Sequence, residues 1–228
     1  MNWLVNALTS TIGRKVLMAL SGLFLILFLV VHLVGNLQLL KSDGGIAFNT
    51  YAKFMGHNPL IQTVSILNFV FILTHIFVSL FLTLRNSKAR PHGYAYVNNS
   101  STWSSRNMGI LGTIILVFLV VHLVNFWGKM KLTDFGIGSY VEHDTTQDYL
   151  DLYTTTKAAF QDWWLVLLYV VSMIALAFHL SHGFQSAFRT IGVNHPKYTP
   201  FLKGLGLAFS IIVPAGFAII PVYMFLQG

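Results

Sequence analysis

Cysteine is absent from the 228 residues. That excludes disulfides, thiolate-ligated iron–sulfur clusters and cysteine zinc sites, and leaves histidine as the strong nitrogen ligand. Charge is scarce: Asp, Glu, Lys and Arg make up 9% of the chain, against about 25% in a soluble domain. Acids are scarcer still, with seven Asp and Glu against fourteen Lys and Arg, and none falls inside a long apolar run. A transporter or proton channel would need charged groups within its spans, so that reading is disfavoured. Period-two alternation is missing, which argues against a membrane β-barrel. No glycine-rich dinucleotide fingerprint is present either, and no soluble stretch is large enough to house a flavin domain.

What the chain does have is 55% hydrophobic residues and a mean hydropathy of +0.66. A bilayer-spanning helix needs roughly 20 mostly apolar residues. Five segments qualify, here numbered I to V: about 16–40, 60–84, 108–128, 163–188 and 203–226. These predict an all-α membrane protein, a five-helix bundle forming one domain over 1–228 with no room for a separate catalytic domain. The N-terminal stretch lacks a small-residue cleavage site after a short apolar core, so it reads as a retained helix rather than a signal peptide. Pro59 suits the start of segment II, and Pro196 and Pro200 break the IV–V connection. Pro214 and Pro221 should kink segment V. The long connection over about 129–162 has room for a short surface helix.

Net charge is +7 and pI is near 9.7, but the basic residues are spread over loops rather than gathered in a nucleic-acid patch. Arg14, Lys15, Arg85, Lys88, Arg90, Arg106, Arg189, Lys197 and Lys203 fall on one side, with no acid among them. Lys41, Lys53, Lys129, Lys131 and Lys157 share the other side with all seven acids. Lys/Arg excess marks the cytoplasmic side, which predicts the N-terminus inside and the C-terminus outside.

Four segments each carry an interior histidine: His32, His75, His122 and His179. An imidazole in the bilayer core is costly without a partner, which makes each a functional candidate. Taken alone, such a histidine is more often a hydrogen-bonded structural residue or a proton relay than a ligand. Depth changes the balance. At about 1.5 Å per residue, His32 and His122 fall in the outer half, while His75 and His179 fall in the inner half. Two histidines at one depth on two helices are the geometry of bis-imidazole haem ligation, with apolar side chains on the macrocycle faces. Zinc or copper fits less well, because two nitrogens without a carboxylate or thiolate are a poor set.

Gly22, Gly35, Ser79, Gly112, Gly183 and Ser186 lie beside the ligands, where they either clear room for rings or serve close helix packing. His182 is three residues from His179 on a similar face, and position alone leaves either as the inner ligand. His57, His92, His143 and His195 fall in predicted loops and are expected to be solvated.

These features resemble a known family, the single-polypeptide dihaem cytochrome b anchors of bacterial succinate dehydrogenases and fumarate reductases, of the five-helix type that works with menaquinone. The resemblance covers nearly the whole chain. It rests on TSTIGRKVLMALSG at 9–22, HLVGNLQ at 32–38, FNTYAKFM at 48–55, HLSHGFQSAFRTIG at 179–192 and the order of the four histidines. It implies two haem b groups, His32 with His122 on the outer one and His75 with His179 on the inner. In the family the ligand of helix IV stands four residues before one glycine and thirteen before another; Gly183 and Gly192 stand so from His179, which favours it over His182.

The resemblance further implies a multi-pass protein of the bacterial cytoplasmic (inner) membrane that is not an enzyme on its own. A flavoprotein and an iron–sulfur subunit would dock at the cytoplasmic face, where Arg85, Lys88, Arg90, Arg106, Arg189 and Lys203 form a basic rim. Electrons would be exchanged with menaquinone. Some family members carry a glutamate two residues before the helix IV ligand, where this chain has Ala177, and an acid in the I–II connection, where FNTYAKFMGHNP has none. Asn49, Lys53 and His57 are left as stand-ins at a quinone site. The other class compatible with paired histidines is a stand-alone transmembrane cytochrome b, a ferric or ascorbate reductase without soluble partners.

Overall fold

The computed structural model describes residues 2–89, 101–132, 143–144 and 149–228. Arg90, His92, Asp134, Glu142, Asp148 and the side chain of His143 lie outside what is described. A short helix α1 (Trp3–Thr9) precedes α2 (Thr11–Asn36), which tightens into a 3₁₀ turn over Leu37–Leu40. Then come α3 (Ile46–His57), α4 (Pro59–Lys88), α5 (Trp103–Arg106) and α6 (Met108–His122). A π-helical stretch over Leu123–Gly128 leads into α7 (Lys129–Lys131). After α8 (Leu152–Ala159) the chain closes with α9 (Trp163–Thr190) and α10 (Thr199–Leu226). Among the described residues the only strands are two residues each, His143–Asp144 pairing with Tyr149–Leu150 antiparallel.

Among the described residues five helices are long and apolar enough to cross a membrane: Thr11–Leu40, Pro59–Lys88, Met108–Lys131, Trp163–Thr190 and Thr199–Leu226. The chain is a multi-pass helical membrane protein. Each span outruns its hydropathy window at one or both ends, because the caps sit in polar sequence. The Ser10 hydroxyl accepts from the Gly13 amide at 2.9 Å and starts α2 ahead of Arg14 and Lys15. Asn58 accepts from the amides of Leu60 and Ile61 at 3.0 and 3.3 Å, with Pro59 in the first turn of α4. Gly192, at φ 87°, ends α9: the Val193 amide returns to the Phe188 carbonyl at 2.9 Å. Helix α10 continues unbroken through Pro214 and Pro221, both of them buried.

Helix α9 is the hub, packing on α10, α2 and α6, and it buries ten residues. By contrast α4 buries Asn68 alone and α6 Leu111 alone, so their apolar outer faces, Phe77 and Val117 among them, are left to lipid. Close helix approach depends on glycine at α10, where a Cβ on Gly206 would stand 2.7 Å from Phe184 Cδ1.

Of two features of the connections, the first departs from the sequence expectation and the second meets it. The I–II connection is mostly helical, and it places His57 at the C-terminus of α3 rather than in a loop. The long III–IV connection contains α8, which docks on α3. Asn49, 2% exposed, makes that dock: its Nδ2 donates to Asp151 Oδ1 at 3.0 Å, and its Oδ1 accepts from the Tyr153 amide at 2.9 Å. Asp151 in turn caps α8 by accepting from the Thr154 amide at 3.1 Å.

Candidate functional site

Helices α2 and α6 bring His32 and His122 together, with ring centroids 5.8 Å apart and planes at 87°. Helices α4 and α9 do the same for His75 and His179, at 6.2 Å and 65°. The ring that meets His75 is thus His179; His182 lies one turn further along α9, half-buried. Two imidazoles that held one metal between facing nitrogens, each at about 2.0–2.1 Å with the ring centre roughly 1.1 Å beyond the nitrogen, would have centroids about 6.3 Å apart. Both pairs match that figure to within about half an ångström.

A pair of imidazoles without a carboxylate or thiolate is a poor set for a bare ion. Among the described residues no group of three or more His, Asp or Glu could hold a metal. A haem iron asks only two ligands of the protein, because the porphyrin supplies the other four.

The two pairs are stacked along the bundle. Ser21, level with His75, is eleven residues before His32 on α2, about 16 Å of helix; Tyr169, level with His122, is ten residues before His179 on α9, about 15 Å. Two separate helices therefore give the same spacing.

Three of the four rings have a polar partner at Nδ1. Tyr169 Oη lies 3.0 Å from His122 Nδ1, Ser21 Oγ 3.1 Å from His75 Nδ1, and Asn36 Nδ2 3.3 Å from His32 Nδ1. The Asn36 amide also donates to the His32 carbonyl at 2.7 Å. The Tyr169 and Ser21 hydroxyls can accept from Nδ1–H, which orients His122 and His75 and leaves Nε2 free; the Asn36 amide nitrogen is a donor, so its contact asks Nδ1 of His32 to accept. His179 Nδ1 is buried with no hydrogen-bond partner among the described residues. Around the His32 pair the walls are aromatic: Phe28 stacks on His32 at 5.1 Å, Phe118 on His122 at 5.6 Å, and Phe217 and Phe126 approach at 5.6 and 5.5 Å. Phe126 belongs to the π-helical stretch that begins directly after His122.

The small residues beside the histidines divide by role. A Cβ on Gly22 would touch the His75 ring at 3.4 Å, so this glycine seats the imidazole itself. A Cβ on Gly35 would collide with the Tyr51 ring, which makes Gly35 a packing residue for α3, whereas Gly112 and Gly183 face open space. Ser79 Oγ donates to its own helix, to the Ile76 carbonyl at 2.9 Å.

Asn49, Lys53 and His57 do not converge. The Asn49 amide is committed at both ends to the α3–α8 dock. Lys53 and His57 line an open groove of about 430 Å³ with Thr50, Phe54 and Asn58, at the end of the bundle nearest His32. Beside them burial raises the pKa of Tyr51 above its ordinary value.

The histidine partners Tyr169 and Ser21 were not singled out by sequence reasoning. The one signal was a hydroxyl-bearing ring inside the apolar run LVLLYVV of segment IV. No family model, curated protein or solved structure matches the chain.

Proposed function

We propose that this chain is a dihaem cytochrome b, the membrane anchor of a succinate dehydrogenase or fumarate reductase that exchanges electrons with menaquinone. The observation that carries the reading is the pair of histidine–histidine spacings, 5.8 and 6.2 Å, at two levels of one acid-free bundle. His32 and His122 would hold the outer b haem, and His75 and His179 the inner one. When bound, haem iron supplies one-electron chemistry at a potential set by its ligands and surroundings.

The chain's own residues do the rest. The four imidazoles bind. Tyr169 and Ser21 orient two of them, and the aromatic walls around the His32 pair keep water away. The N-terminus faces the cytoplasm of a bacterium and the C-terminus the outside, in accord with the basic residues gathered at one end. On that side Arg85, Lys88, Arg106, Arg189 and Lys203 form the rim for an iron–sulfur and a flavoprotein subunit, where succinate and fumarate would react. The Lys53–His57 groove lies at the opposite end and is the candidate place for the quinone.

The test is a reduced-minus-oxidised visible spectrum of the membrane-purified protein, with haem quantified per chain. The expected result is two b-type haems in the wild type and one in His32→Ala and in His179→Ala. Co-purification with an iron–sulfur protein and a flavoprotein is expected as well. Absence of haem from the wild type would sink the reading, and two haems without soluble partners would move the chain to the stand-alone cytochromes b.

A further inference from the structure

Tyr169 is 6% exposed and ringed by Phe118, Phe126 and Phe160, with centroids 4.8, 6.2 and 5.1 Å away. A phenol in such a wall loses its hydration, and that loss is costly unless the hydroxyl finds a partner. Among the described residues its one hydrogen bond runs to His122 Nδ1, at 3.0 Å. Phenylalanine would fill the same space, so what the tyrosine adds is that contact. Ser21 repeats the arrangement in the other pair: 1% exposed, its Oγ stands 3.1 Å from His75 Nδ1 and beside the Met18 carbonyl at 3.1 Å. Each pair thus has one ring with a hydroxyl at Nδ1, supplied by a helix other than the ring's own.

We propose that Tyr169 and Ser21 are positioning residues that orient His122 and His75 through Nδ1 and lower the reduction potential of the iron each ring would hold. This rests on the dihaem reading above. With Nε2 facing the metal, Nδ1 carries the proton and donates it to the hydroxyl oxygen. That bond makes the imidazole more electron-rich and favours the ferric state. In a low-dielectric interior it is stronger than its counterpart in water.

The experiment is equilibrium redox potentiometry on the purified protein, in whatever complex it forms, comparing wild type, Tyr169→Phe and Ser21→Ala. Electron paramagnetic resonance of the oxidised haems is read alongside. Both substitutions conserve shape and should retain two haems per chain. Tyr169→Phe is expected to raise the ferrous-to-ferric ratio of one haem at fixed potential by about three- to tenfold, the range of one net hydrogen bond; tenfold is about 59 mV for one electron. Ser21→Ala should shift the other haem in the same direction, and in each variant only the shifted haem should change its low-spin signal.

Two haems with unshifted potentials in both variants would overturn the inference and leave the dihaem reading standing. Equal movement of both haems in either variant would also overturn it, since that reports a general loosening. A wild type without haem would overturn the function itself.

Discussion

Asn49→Ala is the substitution whose cost the structure specifies best. The amide makes two hydrogen bonds across 102 and 104 residues of chain, one to the Asp151 carboxylate and one from the Tyr153 amide. A bond to a charged group contributes about 1.5–3 kcal/mol and a neutral one about 0.5–1.5. Asp151 is partly exposed, so the lower half of each range applies, and the sum is about 2–3 kcal/mol. The loss is local, because what opens is the docking of α8 on α3. Amide hydrogen exchange over α8 in detergent micelles should therefore accelerate about thirty- to a hundred-and-fiftyfold, with α9 and α10 unchanged.

The same dock has a pH dependence. Partial burial raises the Asp151 carboxyl, but hydrogen bonds from Thr154 and Asn49 outweigh it and hold the group below the usual aspartate range. A depressed carboxyl stabilises the fold fully above its unfolded pKa of about 3.9, and the contribution fades as pH falls through the folded value. Protection of α8 should be flat from pH 8 to 5 and decline below about 4. Asp151→Asn, which keeps an acceptor, should remove that decline. Exchange in Asn49→Ala within threefold of wild type would refute the reasoning, and so would an acid decline that survives Asp151→Asn.

Two other substitutions probe the packing. Gly206→Ala puts a Cβ 2.7 Å from Phe184 Cδ1 and 3.2 Å from its Cγ; the buried ring must shift within the α9–α10 seam, so a cost of about 1–3 kcal/mol is expected, read as a lower Tm in detergent. Ser172 is fully buried and its hydroxyl has no partner among the described residues; Ser172→Ala should leave thermal stability unchanged or raise it by about 1 kcal/mol, and a clear drop would show that the hydroxyl is engaged.

Segment existence was the easiest part of the fold to read, because in a bilayer every backbone group must be paired within its own helix and the apolar run is the signature of that demand. Boundaries were harder: Ser10 and Asn58 extend α2 and α4 into polar sequence that a hydropathy window discounts. Helices α3 and α8 were less legible still. Neither is long or strongly apolar. Their docking depends on an asparagine and an aspartate about a hundred residues apart, and no local pattern records that partnership.

The site shows the same division between what a helix imposes and what its neighbours decide. Rise per residue is nearly constant, so counting from the segment ends places a side chain in depth, and the four histidines fall at two levels before any contact is known. The rotation of each helix about its axis is not encoded that way; it follows from which faces meet. Tyr169 and Ser21 stand 47 and 54 residues from the rings they touch, and only the packing of α9 on α6 and of α2 on α4 brings them there. That packing also separates His179 from His182. Three residues apart, they differ by about 60° in direction around α9, and that difference leaves one of them 6.2 Å from His75. Depth says how many levels a bundle can hold, while rotation decides which atom at each level faces inward.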